Sequence, residues 1–112
     1  MDEIDIKIEQ GKEFIRKRIT ELRLDADVSE YTMSLELGQS RGYIQGISSG
    51  KAMPPMSGFL NICDYFNITP IEFFDSSIKE PALLNKVFDS MKSLSGDDLE
   101  LIYTITQRLG EK

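Results

Sequence analysis

A tight turn at Gly38, between two short helical patterns, is the feature that most constrains the fold of this chain. Before the turn, Ser29 supplies a side-chain oxygen that can accept a hydrogen bond from the first free amide groups of a helix. Met33 and Leu37 lie one turn apart on a single face of that helix. Gly38 is predicted to end it, because glycine adopts the left-handed conformation common after helix C-termini at no steric cost.

A second short helix is predicted directly after this turn. Ser40 can cap its first turn, and Ile44 and Ile47 recur at helical spacing on its inward face. Gly50 is predicted to stop it. Residues 29–54 are therefore predicted to form two short helices that meet across a tight turn.

This pair of helices resembles the helix-turn-helix of the Cro/repressor-type (XRE) transcriptional regulators. The family pattern runs approximately Ser-Gln-x-x-Leu-Ala-x-x-Leu-Gly-x-Ser-x-x-x-Ile-x-x-x-Glu-x-Gly-Lys-x-x-Pro. The positions that match it are Ser29, Met33, Ser34, Leu37, Gly38, Ser40, Ile44, Gly50, Lys51 and Pro54. The resemblance extends over about residues 12–75 and implies an all-α fold, with a five-helix lambda-repressor-like DNA-binding domain.

Apolar spacing predicts the remaining helices of this domain. The first helix carries an apolar stripe of Phe14, Ile15, Ile19 and Leu22. The fourth helix, with Pro55 in its first turn, is predicted to bury Met56, Phe59, Leu60, Cys63 and Phe66. The fifth is predicted to begin at Thr69, because Thr69 and Glu72 have the spacing of a capping box around a proline.

The two ends of the chain fall outside the resemblance. Residues 1–11 are predicted to form an N-terminal arm, in which isoleucines alternate with polar residues. That alternation fits a short strand, a helical extension or an ordered arm. Residues 76–112 are predicted to form a C-terminal helical hairpin able to serve as a dimerisation element, and residues 75–77 together with Pro81 mark the linker that leads into it.

The two helices of the predicted hairpin both have an apolar face. The first face comprises Leu84, Val87, Phe88, Met91 and Leu94, and the second comprises Leu99, Ile102, Ile105 and Leu109. The second helix is predicted to be capped by Ser95. Such faces need a partner, which can be the five-helix body, the other helix of the hairpin or a second copy of the chain.

The resemblance implies a sequence-specific DNA-binding regulator of transcription, whose recognition helix at about residues 40–48 enters the major groove. The residues that it assigns to DNA contact are Gln39, Ser40, Arg41, Tyr43, Gln45, Ser49 and Lys51. Arg41 can donate two hydrogen bonds to guanine, and Gln45 can form a bidentate contact with adenine. Gly42 and Gly46 can read no base edge, so they admit close approach of the backbone to DNA or to a protein.

Three positions depart from the family pattern. Glu30 stands where a phosphate-contacting glutamine is usual, so its carboxylate either repels DNA or stabilises the helix through its dipole. Ser48 replaces a glutamate that pairs with an arginine late in the first helix, which leaves Arg23 to find carbonyl groups, another acid or solvent. Ser34 replaces the usual alanine and is small enough for contact between the two short helices.

The formal net charge of −6 argues at first against a nucleic-acid partner, since proteins that bind polyanions usually carry a basic surplus. The charges are unevenly distributed, however. Residues 11–24 carry five cations and two carboxylates, a net +3, and residues 37–63 carry two cations and no carboxylate. One basic face on an acidic remainder can bind phosphates, whereas the alternative is that these charges only solvate helix surfaces.

The residue inventory argues against an enzyme. The sequence has no histidine, no metal-ligand cluster, no nucleophile elbow and no phosphate-binding glycine loop, so no cofactor or small-molecule ligand is expected. Cys63, the single cysteine, is predicted to be a small buried hydrophobe rather than a reactive thiol.

The expected partners are double-stranded DNA and a second copy of the chain in a homodimer. No apolar run approaches the ~20 residues of a membrane span, so we expect a cytoplasmic protein with no membrane partner. The alternative function is a helix-turn-helix fold used as a protein-interaction module with weak or no DNA binding.

Overall fold

The computed structural model describes residues 2–75 and 77–111. These ranges contain seven helices and no strand, so the described chain is all-α. The helices are α1 (Glu3–Asp25), α2 (Glu30–Glu36), α3 (Tyr43–Ser48), α4 (Met56–Tyr65), α5 (Pro70–Phe74), α6 (Pro81–Met91) and α7 (Gly96–Gly110). None of them is long and apolar enough to cross a membrane. The predicted arm, linker and hairpin include Met1, Ser76 and Lys112, which lie outside the described residues.

The alternating isoleucines near the N-terminus belong to a helix, which was one of the three predicted alternatives. Asp2 caps α1, because its carboxylate accepts a hydrogen bond from the amide of Asp5 at 2.9 Å. The Lys7 ammonium lies 3.4 Å from the Glu3 carboxylate one turn away, a spacing that favours helix. Ile4, Ile6 and Ile8 of this extension are exposed.

One hydrophobic core lies among the first five helices. Its buried members are Ile19, Leu22, Met33, Ile44, Ile47, Phe59, Ile62, Cys63, Phe66, Ile68 and Phe73. The rings of Phe59 and Phe73 meet edge to face, with 4.9 Å between their centroids. The prediction that Cys63 is buried is confirmed, and burial raises the pKa of its thiol.

The predicted buried face of α4 is wrong at two positions. Met56 and Leu60 are exposed, whereas Ile62 is fully buried. Successive residues of a helix are about 100° apart, so Leu60 lies well round the helix from Phe59. The face that meets the core is Phe59, Ile62, Cys63 and Phe66.

Three of the predicted helix caps are confirmed. The hydroxyl of Ser29 accepts a hydrogen bond from the amide of Thr32 at 3.0 Å, and that of Ser95 accepts one from the amide of Asp98 at 3.2 Å. Thr69 begins α5 with both hydrogen bonds of a capping box. These contacts fix where α2, α5 and α7 begin.

The last two helices project from the five-helix core. Pro81 at the start of α6 is buried, but α7 contains no buried residue. The described chain measures 53 × 36 × 24 Å and has a radius of gyration of 17.5 Å. A compact chain of this length has a radius of gyration of about 13 Å. The molecule is therefore elongated.

Candidate DNA-binding surface

Ser34 joins α2 to α3. Its side chain is fully buried, donates a hydrogen bond to the carbonyl of Glu30 at 2.7 Å and accepts one from the amide of Ile44 at 3.0 Å. The amide of Ile44 is one of the first free donors of α3, the group that a capping side chain usually satisfies. Ser34 therefore caps α3 from a neighbouring helix, besides being the small residue predicted at this contact.

The predicted start of the recognition helix, at about residue 40, is wrong. α3 begins at Tyr43, after Gly42, and has no side-chain cap hydrogen bond from its own N-cap residue. The carbonyl of Ser40 accepts a hydrogen bond from the amide of Tyr43 at 3.1 Å, which closes a turn rather than starting the helix. Ser40 is not needed as a cap, because Ser34 already satisfies the amide of Ile44. The candidates at positions 39–41 thus lie in the turn before α3.

The C-terminal end of α3 brings a second helix to the candidate surface. Gly50 ends α3 with a φ of +88°, as predicted. The guanidinium carbon of Arg16, on α1, lies 3.8 Å from the position that a Cβ atom on Gly50 would occupy. Arg16 therefore stands beside the segment that contains Lys51. Sequence reasoning placed Arg16 in the basic segment but did not single it out.

Six of the seven candidate DNA-contacting residues are exposed. They are Gln39, Ser40, Arg41, Gln45, Ser49 and Lys51. The hydroxyl of Ser49 donates to the carbonyl of Gly46 at 3.2 Å. In the described part of the chain, the side chains of Gln39, Arg41, Gln45 and Lys51 make no hydrogen bond or ion pair, so their polar groups are open to an external partner.

Tyr43 differs from the other candidates. Its side chain is half-buried and packs against the core, and burial raises the pKa of its phenol. The hydroxyl lies 2.8 Å from the position that a Cβ atom on Gly58 would take. Tyr43 is thus part of the contact between α3 and α4, where the absence of a side chain at Gly58 makes room for it.

Ser48 and Glu30, two of the residues that depart from the family pattern, are hydrogen-bonded to each other. The hydroxyl of Ser48, at the end of α3, donates a hydrogen bond to the carboxylate of Glu30, at the start of α2. Glu30 occupies the first turn of α2, where the helix dipole favours a negative charge. The carboxylate of Glu30 is thus hydrogen-bonded within the chain.

Arg23 has found a carbonyl group, one of the three predicted alternatives. Its Nη1 donates to the carbonyl of Val28 at 3.0 Å, but its Nε is buried without a hydrogen-bond partner. A buried unsatisfied donor costs about 1–3 kcal/mol. Within the described residues, the guanidinium of Arg23 is therefore only partly satisfied.

The basic segment at residues 11–24 contributes less free charge than its sequence suggests. Arg18 is buried and donates hydrogen bonds to the carbonyls of Phe73 at 2.7 Å and Glu72 at 2.9 Å, which terminate α5. Lys17 lies 3.4 Å from the carboxylate of Glu13. Arg18 is therefore a structural residue rather than part of a surface that could hold phosphates.

The chain matches no protein-family model, no curated protein and no solved structure. Within residues 2–75 and 77–111, no group of histidine, cysteine and acidic side chains is arranged to hold a metal ion. Any functional assignment therefore depends on the geometry around α3 and on the resemblance of its sequence.

Proposed function

We propose that the chain is a sequence-specific, DNA-binding transcriptional regulator of the Cro/repressor type. In this proposal residues 12–75 form a five-helix lambda-repressor-like domain, and α3 is the recognition helix. The observation that carries the proposal is the exposed polar face of residues 39–51, which comprises Gln39, Ser40, Arg41, Gln45, Ser49 and Lys51. It has no carboxylate, and its long polar side chains are not used within the described chain.

Each end of α3 supplies a different kind of DNA contact in this proposal. Arg41 in the turn before the helix and Gln45 one turn later offer the bidentate groups that read guanine and adenine. Lys51 and Arg16, at the other end, hold phosphates, which position the helix without reading sequence. Arg16 is thus an addition to the contacts assigned from the sequence.

Gly42 and Gly46 support an external partner for this face. A Cβ atom on either residue would meet no atom within 4 Å, so packing inside the chain does not require glycine there. Gly46 lies inside α3, where glycine nevertheless costs about 1 kcal/mol relative to alanine, whereas Gly42 is the N-cap residue. A bare backbone on the outward face allows a DNA backbone or base edge to approach closely, and this benefit can offset the cost.

The same bare backbone also suits the alternative function, a protein-interaction module. The two functions differ in their response to salt. The logarithm of a DNA-binding constant falls linearly with the logarithm of the salt concentration, with a slope of about −0.9 for each neutralised phosphate. The affinity of an apolar protein contact depends only weakly on salt.

The test is selection of bound fragments from a random duplex pool by the full chain, followed by binding titrations at several salt concentrations. We expect one enriched sequence, whose affinity falls with salt. Arg41→Ala should lose about 1–3 kcal/mol on that sequence and little on random DNA, and Lys51→Ala should weaken both alike.

Lys7→Ala is the matched control, because Lys7 is an exposed cation about 14 Å along α1 from Arg16. It should leave both affinities unchanged. Absence of any enriched sequence, together with no salt-dependent binding at low ionic strength, would overturn the proposal and favour the protein-interaction module.

A further inference from the structure

α6 and α7 each carry apolar side chains that the described chain does not cover. Nine apolar side chains on these helices are between 43% and 62% exposed. They are Leu83, Leu84, Val87, Phe88, Leu99, Leu101, Tyr103, Ile105 and Leu109. We name this set the tail surface.

The apolar side chains of the tail surface follow one side of each helix. At about 100° per residue, the four on α6 lie within roughly 140° of arc. On α7, Leu99, Ile105 and Leu109 lie within roughly 120°, with Leu101 and Tyr103 flanking them on either side. Exposed apolar stripes of this kind mark sites of interaction with a partner.

Hydrogen bonds to the five-helix core fix the position of α6, which carries the first part of the tail surface. The amide of Asn85 donates to the carbonyl of Asn67 at 2.7 Å and to the carboxylate of Glu72 at 2.8 Å. Beside α6, a groove of about 480 Å³ is lined by apolar side chains that include Ile78, Leu84 and Val87. This groove adjoins the exposed apolar side chains of α6.

Charge indicates which helix fits the groove. Residues 77–92 contain three lysines and two carboxylates, a net +1, whereas residues 96–111 contain four carboxylates and one arginine, a net −3. Contact between two α7 helices would bring −3 against −3, but contact between α6 and α7 joins opposite signs.

We propose that a second copy of this chain covers the tail surface, in a symmetric dimer in which α6 of each protomer packs against α7 of the other. Such an interface uses the same surface twice and closes on itself. The proposal does not depend on DNA binding, and its test involves no DNA.

The first experiment is sedimentation of the full chain at micromolar concentration. We expect twice the chain mass of 12.7 kDa. Leu84→Glu combined with Ile105→Glu should raise the dissociation constant at least tenfold, while circular dichroism confirms that the helices remain. Ile71→Glu is the matched control, because Ile71 is 81% exposed on α5 and should leave the dimer intact. A monomeric full chain would overturn the proposal. The proposal would also fail if Ile71→Glu weakened the dimer as much as the double variant does.

Charge reversal tests the pairing of helices. Lys86→Glu with Lys92→Glu changes residues 77–92 from +1 to −3, and Glu100→Lys with Glu111→Lys changes residues 96–111 from −3 to +1. Each double variant alone has like charges on α6 and α7, so we expect it to dimerise at least tenfold more weakly than the original chain. An equimolar mixture should regain the original affinity, because each α6 then faces an α7 of opposite sign.

Two results would contradict this pairing. If the variant with Lys86→Glu and Lys92→Glu dimerised as tightly as the original chain, α6 would not face α7, because α7 keeps its negative charge in that variant. A folded but monomeric mixture would show that opposite charge between the two protomers does not hold them together.

Discussion

The five-helix core and the two C-terminal helices are built from the same sequence signals, but they end in opposite states. α2 and α5 are short, begin at well-formed caps and each bury one apolar residue in the core, Met33 and Phe73. α7 is three times as long as α5 and is also capped, yet it buries none. Amphipathic spacing therefore tells which face of a helix needs a partner, but burial is decided by what the chain folds against that face.

The sharpest way to test this difference is to delete one aromatic ring in each region. Phe73 is fully buried in the core, whereas Phe88 on α6 is 56% exposed. Phe73→Ala should lower the free energy of unfolding by about 3–5 kcal/mol, through lost burial and the cavity left behind.

Phe88→Ala should leave the unfolding of the five-helix core nearly unchanged. Urea denaturation followed by circular dichroism, below the concentration at which the chain associates, measures both variants. A large loss of stability for Phe88→Ala would show that α6 is packed on the core far more tightly than its exposure indicates.

Arg16 and Arg18 lie about half a turn apart on α1, and we expect one to serve DNA binding and the other to stabilise the fold. Arg18 is buried and donates to the carbonyls of Glu72 and Phe73, whereas Arg16 is half-buried beside Gly50. Arg18→Met should cost about 1–3 kcal/mol of stability, because the carbonyl of Phe73 loses its buried donor.

Arg16→Met should cost little stability but weaken DNA binding on all sequences if Arg16 holds phosphate. Parallel unfolding and DNA titrations of the two variants give the comparison. The reverse pattern, with Arg16→Met the more unstable, would contradict the assignment of both residues.

Two serines next to α3 provide a smaller and more exact test. Ser34→Ala should cost about 1 kcal/mol, because the amide of Ile44 loses its acceptor. Ser40→Ala should have no measurable effect, although the sequence predicted Ser40 as the cap. Equal losses of stability in thermal or urea unfolding would indicate that Ser40 also caps α3.

These residues show why part of the fold follows from the sequence and part does not. Ser29, Thr69 and Ser95 were predicted correctly because the amide that each one satisfies lies three residues further along the chain. The donor that Ser34 satisfies lies ten residues away, and the carbonyls that Arg18 satisfies lie more than fifty residues away. No local pattern encodes such distant contacts.

The candidate surface divides in the same way. The turns at Gly38 and Gly50 were predicted from the residue type, because both adopt a positive φ that glycine tolerates. The exposure of Arg41 and Gln45 also agrees with the sequence prediction. The inward packing of Tyr43 against α4 depends on the space above Gly58, fifteen residues away, and was missed.

The smallest predicted effect compares two glycines that packing inside the chain does not require. Gly11 lies in α1 and Gly46 in α3, and a Cβ atom on either would meet nothing within 4 Å. Alanine at each position should stabilise the fold by about 0.5–1 kcal/mol, because it lowers the entropy of the unfolded chain and favours helix.

Gly11→Ala should leave DNA affinity unchanged, since it lies in the part of α1 before Arg16. Gly46→Ala should weaken DNA binding although the protein is more stable, because the added methyl group stands where the DNA is proposed to approach the backbone. Thermal unfolding and DNA titration of both variants measure the two quantities separately. If Gly46→Ala bound DNA as tightly as Gly11→Ala, the bare face of α3 would serve a partner other than DNA.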